Sequence, residues 1–341
     1  MTAATAATAA GARGVPAVFR VGLTRDLLTP DGEPSFGKGP LALLDADPAI
    51  EWEYLPESVS EITPEIMSRY DALYVNSPAV TAASVARDDC RVRIVSRHGV
   101  GYDSVDVKAL AAKGIITTNT PIAIRRPVAV AALTMIFALA GRLFDKDRLT
   151  RSNRWNERTS YMGLGLTTRT LGVIGAGGIG RELLGLARPF GWRMLTTDPY
   201  ADPAVADKLG AEQVALDTLL KESDFVVATV LLNAETRHLM NAERLAAMKP
   251  SAFFINLSRG PIADEQALTV ALRDGVIAGA ALDVFEQEPV APDNPLLRMG
   301  NVIVTPHSLC WTDECFDHIA REGLACVVDF ANGRRPKSVV A

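Results

Sequence analysis

The feature that most limits how this chain can fold is the run Thr170-Leu-Gly-Val-Ile-Gly-Ala-Gly-Gly-Ile-Gly-Arg181. Leu171 to Ile174 reads as a buried strand. The chain then breaks into Gly175-x-Gly177-x-x-Gly180, and from Ile179 to Arg188 the apolar residues recur at helical spacing. A bare glycine triplet is weak evidence; a strand before it and a helix after it make it a phosphate-binding turn. Gly175 allows the tight turn, Gly177 lets a pyrophosphate approach backbone N–H groups, and Gly180 lets the helix touch the strand. Gly178 and Ile179 open the helix, whose first turn offers unpaired N–H groups and the positive end of its dipole. A second strand, Arg193 to Asp198, ends in a carboxylate about 20 residues beyond the glycines, where the ribose hydroxyls of NAD are bound in such turns. The sequence therefore predicts a dinucleotide site made by Gly175, Gly177, Gly178, Ile179, Gly180 and Asp198.

The 341 residues are long for one core and natural for two domains. Strand candidates begin at Ala17–Leu23 and continue with Glu51–Leu55, Ala72–Asn76, Val92–Ser96 and Ile115–Asn119. Helical stretches such as Pro64–Tyr70 and Ser104–Ala112 lie between them, an alternation that implies crossover units and a parallel sheet. This first region lacks a complete dinucleotide turn and is expected to hold substrate. Asn119-Thr-Pro121 reads as a hinge, followed by a long apolar helix from Val128 to Leu143. Beyond Asp198, strands are expected at Phe225–Val230, Ala252–Asn256, Ile277–Val284 and Val302–Thr305, with helices around Asn241–Met248 and Glu265–Arg273 between them. The last helix, Thr312–Asn332, is too small to stand alone and is expected to pack on the first region. The expected boundaries are a low-complexity tail at 1–16, a substrate domain of 17–121 plus 308–341, and a nucleotide domain of 122–307.

A net charge of −5 gives no reason to expect nucleic acid or an anionic membrane as partner. The longest apolar stretch, Pro127 to Leu139, is too short to span a bilayer. Cys90, Cys310, Cys315 and Cys326 show no paired metal spacing, so no metal is expected, and four thiols suggest a reducing cytoplasm. Three polar clusters stand at strand ends, where ligands of open parallel sheets bind. They are Asn256-Leu-Ser-Arg-Gly260, Asp283-Val-Phe-Glu-Gln-Glu-Pro289 and Thr305-Pro-His-Ser308. A cation, carboxylates and an imidazole are thus expected near the nicotinamide.

These clusters, the glycine turn and Gly99-Val-Gly-Tyr-Asp-Ser-Val-Asp106 together resemble the D-isomer-specific 2-hydroxyacid dehydrogenase family, whose members include D-lactate, 3-phosphoglycerate and formate dehydrogenases. The likeness runs from about Val21 to the C-terminus. It implies an α/β fold of two doubly wound parallel-sheet domains, a Rossmann-type NAD domain inserted in a flavodoxin-like substrate domain, with the active site in the cleft. It also implies a homodimer. Carried over residue by residue, Arg259 holds the substrate's carboxylate and carbonyl oxygen, as its planar, permanently charged fork suits. His307 is the acid/base, and Glu288 orients it, with Glu286 as the rival carboxylate. Backbone N–H groups at Val100 and Gly101 receive the substrate carboxylate, while Leu257, Ser258 and Asp283 lie near the nicotinamide ribose and carboxamide. The chain departs from the family at Thr229-Val-Leu-Leu-Asn233, Val128-Ala-Val130 and Ser308-Leu309, which bears on which acid is accepted. The resemblance implies an NAD-dependent oxidoreductase for a small D-2-hydroxy or 2-oxo acid. The alternative is an NAD-sensing scaffold, like the corepressors on the same fold.

Overall fold

The computed structural model describes residues 18–340, so the tail expected at 1–16 lies outside the described residues. The chain divides into two compact units, one running to Ile124 and resuming at Thr312, the other spanning Arg125–Trp311. These boundaries lie three or four residues beyond those expected, because helices begin at Arg125 and, behind the Thr312 cap, at Asp313. No single helix among the described residues is long and apolar enough to cross a membrane.

The first unit holds strands β1 (Phe19–Leu23), β2 (Ile50–Tyr54), β3 (Ala72–Val75), β4 (Ile94–Arg97) and β5 (Ile116–Thr118). All pair in parallel in the order β2-β1-β3-β4-β5, the flavodoxin-like order. Ile62, Ile66, Met67, Leu73, Val95 and Leu110 form the core of one layer. The other contains the helix Asp313–Ala331, whose Phe316, Ala320, Leu324 and Val327 pack among Val21, Leu23, Tyr74 and Ile94. Burying Phe316, Leu324 and Val327 contributes about 1.5–3 kcal/mol each, which is comparable with a domain's whole net stability of about 5–15 kcal/mol. The C-terminal helix is therefore integral to this sheet, and the chain end adds to it: Val339 bridges Thr118 and Val340 N donates to Thr117 O.

Under the loop after β4, His98 is buried against Tyr74, whose hydroxyl meets its Nδ1, and against the rings of Phe36 and Phe316. Burial, and then the charge of Arg97, push the imidazole down to about 3. The unfolded chain takes up this proton below about 6.5, whereas the folded chain stays neutral until about 3. Folding stability should therefore fall as pH drops from 6.5, by about 1.4 kcal/mol per unit from this group. Chemical unfolding of His98→Asn between pH 6.5 and 4 should show a correspondingly flatter slope. Identical slopes in the variant and the wild type would refute the assignment.

The second unit holds β6 (Thr170–Ile174), β7 (Arg193–Thr197), β8 (Ala211–Gln213), β9 (Phe225–Ala228), β10 (Phe253–Asn256), β11 (Gly279–Leu282) and β12 (Val302–Val304). They form one parallel sheet in the order β12-β11-β10-β9-β6-β7-β8. Counting from β6 this is the dinucleotide-binding order 3-2-1-4-5-6 with a seventh strand added. β6 and β9 are buried along their whole length, as a parallel sheet covered on both faces requires. β8 and its flanking helices, Pro203–Lys208 and Leu216–Glu222, were not foreseen, since so short a strand leaves little alternation to read.

The long helix also differs from the expected Val128–Leu143. It runs over Arg125–Gly141, then the backbone enters the left-handed region at Arg142 (φ 50°, ψ 46°). A second helix, Leu143–Arg151, leaves at 57° to the first. The apolar period continues past the break, so sequence spacing could not reveal it.

Candidate active site

The carboxyl ends of β6, β7, β9, β10, β11 and β12 carry every candidate polar group of the second unit. At the end of β6, Gly175 takes φ 100°, and a Cβ there would meet the Thr229 backbone and the Val230 side chain. At Gly180 a Cβ would sit 2.0 Å from the Gly175 carbonyl oxygen. The helix Gly178–Ala187 can start against the strand only because that position has no side chain. Thr229, which no sequence signal singled out as structural, donates from its hydroxyl to the carbonyls of Ile174 and Gly175 and pins the turn. Gly177 is different: it is exposed, and a Cβ on it would meet nothing within 4 Å. That open cradle at the start of a ten-residue helix fits a pyrophosphate. Gly178 is also exposed and lies under the Arg125 side chain, and Ile179 is half-buried. Asp198, just beyond β7, accepts from the N–H groups of Ala176 and Tyr200, which ties it to the glycine turn where a ribose would lie.

This arrangement separates ligand effects from fold effects. Gly177→Ala should leave the melting temperature of the ligand-free protein unchanged, since the added methyl group has free space and the backbone (φ −71°) suits any residue. Titration with NADH should show clearly weakened binding, because the methyl group occupies the approach to the backbone N–H groups. Unchanged affinity would refute that role.

At the end of β10, buried Asn256 organises the turn that carries Arg259. Its Oδ1 accepts from Ser258 N at 3.0 Å and its Nδ2 donates to Arg259 O at 2.9 Å. Ser258 Oγ donates to Ala228 O on β9, and Leu257 and Ser258 are half-buried. The next residue, Gly260, presses on the loop after β11: a Cβ there would lie 1.9 Å from the Phe285 carbonyl. This contact joins the Arg259 turn to the Glu288 loop, and sequence spacing alone could not disclose it.

Asp283, expected near the nicotinamide ribose and carboxamide, is buried at the end of β11 and hydrogen-bonded to the loop beyond β12. Its carboxylate accepts from the Thr305 hydroxyl at 2.6 Å and from Ser308 N and Leu309 N. It thus shapes the loop beyond β12 that presents His307, whose backbone is in the left-handed region at φ 53°. Such a conformation is uncommon outside glycine and clusters at functional sites. His307 Nδ1 lies 2.7 Å from Glu288 Oε2, and Phe285 N donates to Glu288 Oε1 at 2.9 Å. Burial pushes the Glu288 carboxyl up. The hydrogen bonds from His307 and Phe285 N–H, with the charges of His307 and Arg259, outweigh burial and hold it below its ordinary value. An ionised carboxylate can only accept, so Nδ1 carries a proton and Nε2 is left to exchange one.

Arg259, Glu288 and His307 therefore belong to one cluster, with Glu288 as the imidazole's partner. Glu286, the rival carboxylate, is not that partner: it meets His238 instead. Val100 and Gly101 belong to the first unit, in the loop after β4: Asn119 Nδ2 holds the Val100 carbonyl, and Gly101 is buried. No group of three or more metal-ligating side chains occurs among the described residues.

A seven-stranded dinucleotide-binding sheet with an imidazole–carboxylate pair and an arginine at its strand ends defines a nicotinamide-dependent oxidoreductase. A family model described as D-isomer specific 2-hydroxyacid dehydrogenase, NAD binding domain, matches residues 133–308. The chain is 38% identical over 300 residues to a glyoxylate reductase of Thermococcus onnurineus, covering 85% of this chain and 88% of that one. It is 37% identical over 276 residues to a D-3-phosphoglycerate dehydrogenase of Synechocystis, covering 81% of this chain and 50% of that one. Among solved structures it resembles a D-lactate dehydrogenase from Aquifex aeolicus complexed with NAD and lactic acid, with a TM-score of 0.80 and 27% identity over 92% of this chain and 96% of that one. The chain belongs to the D-isomer-specific 2-hydroxyacid dehydrogenase family. It is an NAD-dependent 2-hydroxyacid dehydrogenase.

Proposed function

We propose that the chain interconverts a short 2-oxo acid and its D-2-hydroxy acid, and that it works chiefly as a reductase of glyoxylate-sized substrates. The observation that carries this reading is the His307 Nδ1 to Glu288 Oε2 contact of 2.7 Å, with Arg259 near enough for its charge to act on Glu288. Several relatives named glyoxylate reductase support the substrate size.

When bound, the nicotinamide exchanges a hydride with the carbon of the acid. The chain's residues do the rest. Arg259 offers its guanidinium to the carboxylate and carbonyl oxygens, fixing the acid and polarising the bond to be reduced. His307 gives a proton from Nε2 to the carbonyl oxygen during reduction and takes it back during oxidation. Glu288 holds Nδ1–H, so the imidazole cannot turn and the charge it acquires is balanced.

Oxidation of NADH against a panel of 2-oxo acids tests the proposal. Glyoxylate and its short homologues should turn over, and chiral analysis of the longer products should show the D form. Tight NADH binding with no turnover of any acid would overturn it and favour the scaffold reading, which no observation here supports.

We also propose a homodimer in a reducing cytoplasm. The exposed apolar side chains Val130, Phe137, Leu143, Phe144, Trp155 and Met162 all fall within one stretch of the second unit. They support a covered surface, for which solution mass is the check. The four thiols support the compartment.

A further inference from the structure

We propose that His238 and Glu286 are positioning residues for the Glu288–His307 pair, an outer clamp on the loop that carries the proposed imidazole partner. The inference rests on the catalytic reading above. His238 Nε2 lies 2.8 Å from Glu286 Oε1, and the backbone of His238 is left-handed at φ 51°. His238 N donates to Pro261 O at 2.7 Å, and Met240 N to Ile262 O at 2.9 Å. The loop after β9 is thereby bound to the segment that follows Arg259.

Glu286 is held from a second side as well. Its N–H donates to Glu265 Oε2 at 2.9 Å, and Glu265 N donates back to Glu286 Oε1 at 3.3 Å. Asn294 Nδ2 fixes the other Glu265 oxygen at 2.7 Å. Two carboxylates thus sit together at the start of the helix Glu265–Arg273. A helix N-terminus favours them, and the His238 ring reaches them from the opposite loop.

The position of residues 285 and 286 matters because Phe285 N–H is the donor that orients Glu288 Oε1. Gly260 presses on the same two residues from the Arg259 side. The Phe285–Glu286 backbone therefore lies against the Arg259 turn and is held at the Glu286 N–H by Glu265, while His238 holds the Glu286 side chain. If the clamp slackens, the Glu288 carboxylate loses its fixed direction and His307 loses a fixed partner. Neither clamp residue needs to touch substrate or cofactor for this.

Two readouts test the proposal in the full-length protein. In His238→Ala, kcat should fall about tenfold with KM for NADH unchanged, part of the hundredfold that a 1 Å misplacement can cost. His238→Gln, whose amide nitrogen reaches a similar point, should restore most of it. Glu286→Ala, which also removes the acceptor for Glu265 N, should fall at least as far as His238→Ala, and the double variant should fall no further than Glu286→Ala. Independently of turnover, the Nδ1 nitrogen resonance of His307, identified by its loss in His307→Ala, should shift in His238→Ala toward that of an imidazole without a carboxylate partner. The resonance should return in His238→Gln. An unmoved resonance in His238→Ala overturns the proposal whatever the activity. If no acid is turned over by the wild type, the catalytic reading fails and the resonance alone decides this one.

Discussion

Alanine in place of His307 is expected to lower kcat for reduction of the best 2-oxo acid by about 10³-fold while leaving the Kd for NADH unchanged. The two effects separate because the imidazole and the dinucleotide cradle belong to different strand ends. The cradle rests on Gly175, Gly177, Gly180, Thr229 and Asp198, whereas Asp283 holds the loop that carries His307. The size of the loss follows from the proton. A carbonyl reduced without a positioned acid must take its proton from water, and a positioned acid contributes about 10²–10⁴-fold. Alanine suits φ 53° slightly less well than histidine, so the substitution relieves no backbone strain that could offset the lost proton donor. Steady-state rates with NADH titration by fluorescence check both halves. A variant that keeps more than a tenth of wild-type kcat would rule out His307 as the acid.

How much of this was legible in the sequence depends on how far apart the interacting residues lie. The glycine turn was readable because strand, turn and helix are consecutive, and Asp198 because one crossover has a nearly fixed length. The strand-end clusters were readable as chemistry, since polar residues closing buried apolar runs have few other reasons to be there. What they do to one another was not. Asp283 reads as a polar strand end, but that it also accepts from Thr305, Ser308 and Leu309 follows only from β11 and β12 being neighbours in the sheet. Glu286 rivals Glu288 by spacing alone, but the Gly260 contact and the His238 side chain converge on it from distant stretches of the chain. Left-handed backbone at Arg142, His238 and His307 leaves no mark in a hydropathy pattern. Local order was legible; tertiary approach was not.

That distinction gives Gly260 its weight. Its neighbours are backbone atoms, with the Phe285 carbonyl carbon and oxygen 1.9 Å and the Glu286 nitrogen 2.4 Å from where a Cβ would stand. Ordinary contact begins near 3.4 Å, so Gly260→Ala must part the Arg259 turn from the Glu288 loop by more than an ångström. No side chain can swing aside to absorb this. Overpacking of this kind costs about 1–3 kcal/mol, which for a unit of this size lowers Tm by about 2–4 °C per kcal/mol. The effect on turnover should be larger. Arg259 and Glu288 move relative to each other, and a 1 Å error in such a constellation costs about 10²-fold. The expected result is therefore kcat/KM for the acid down about hundredfold in a folded protein that still binds NADH, because the glycine turn at β6 is untouched. Retained NADH binding serves as the control for folding. A folded Gly260→Ala protein with wild-type kcat/KM would show that the contact between these two loops does not set the geometry on which Arg259, Glu288 and His307 depend.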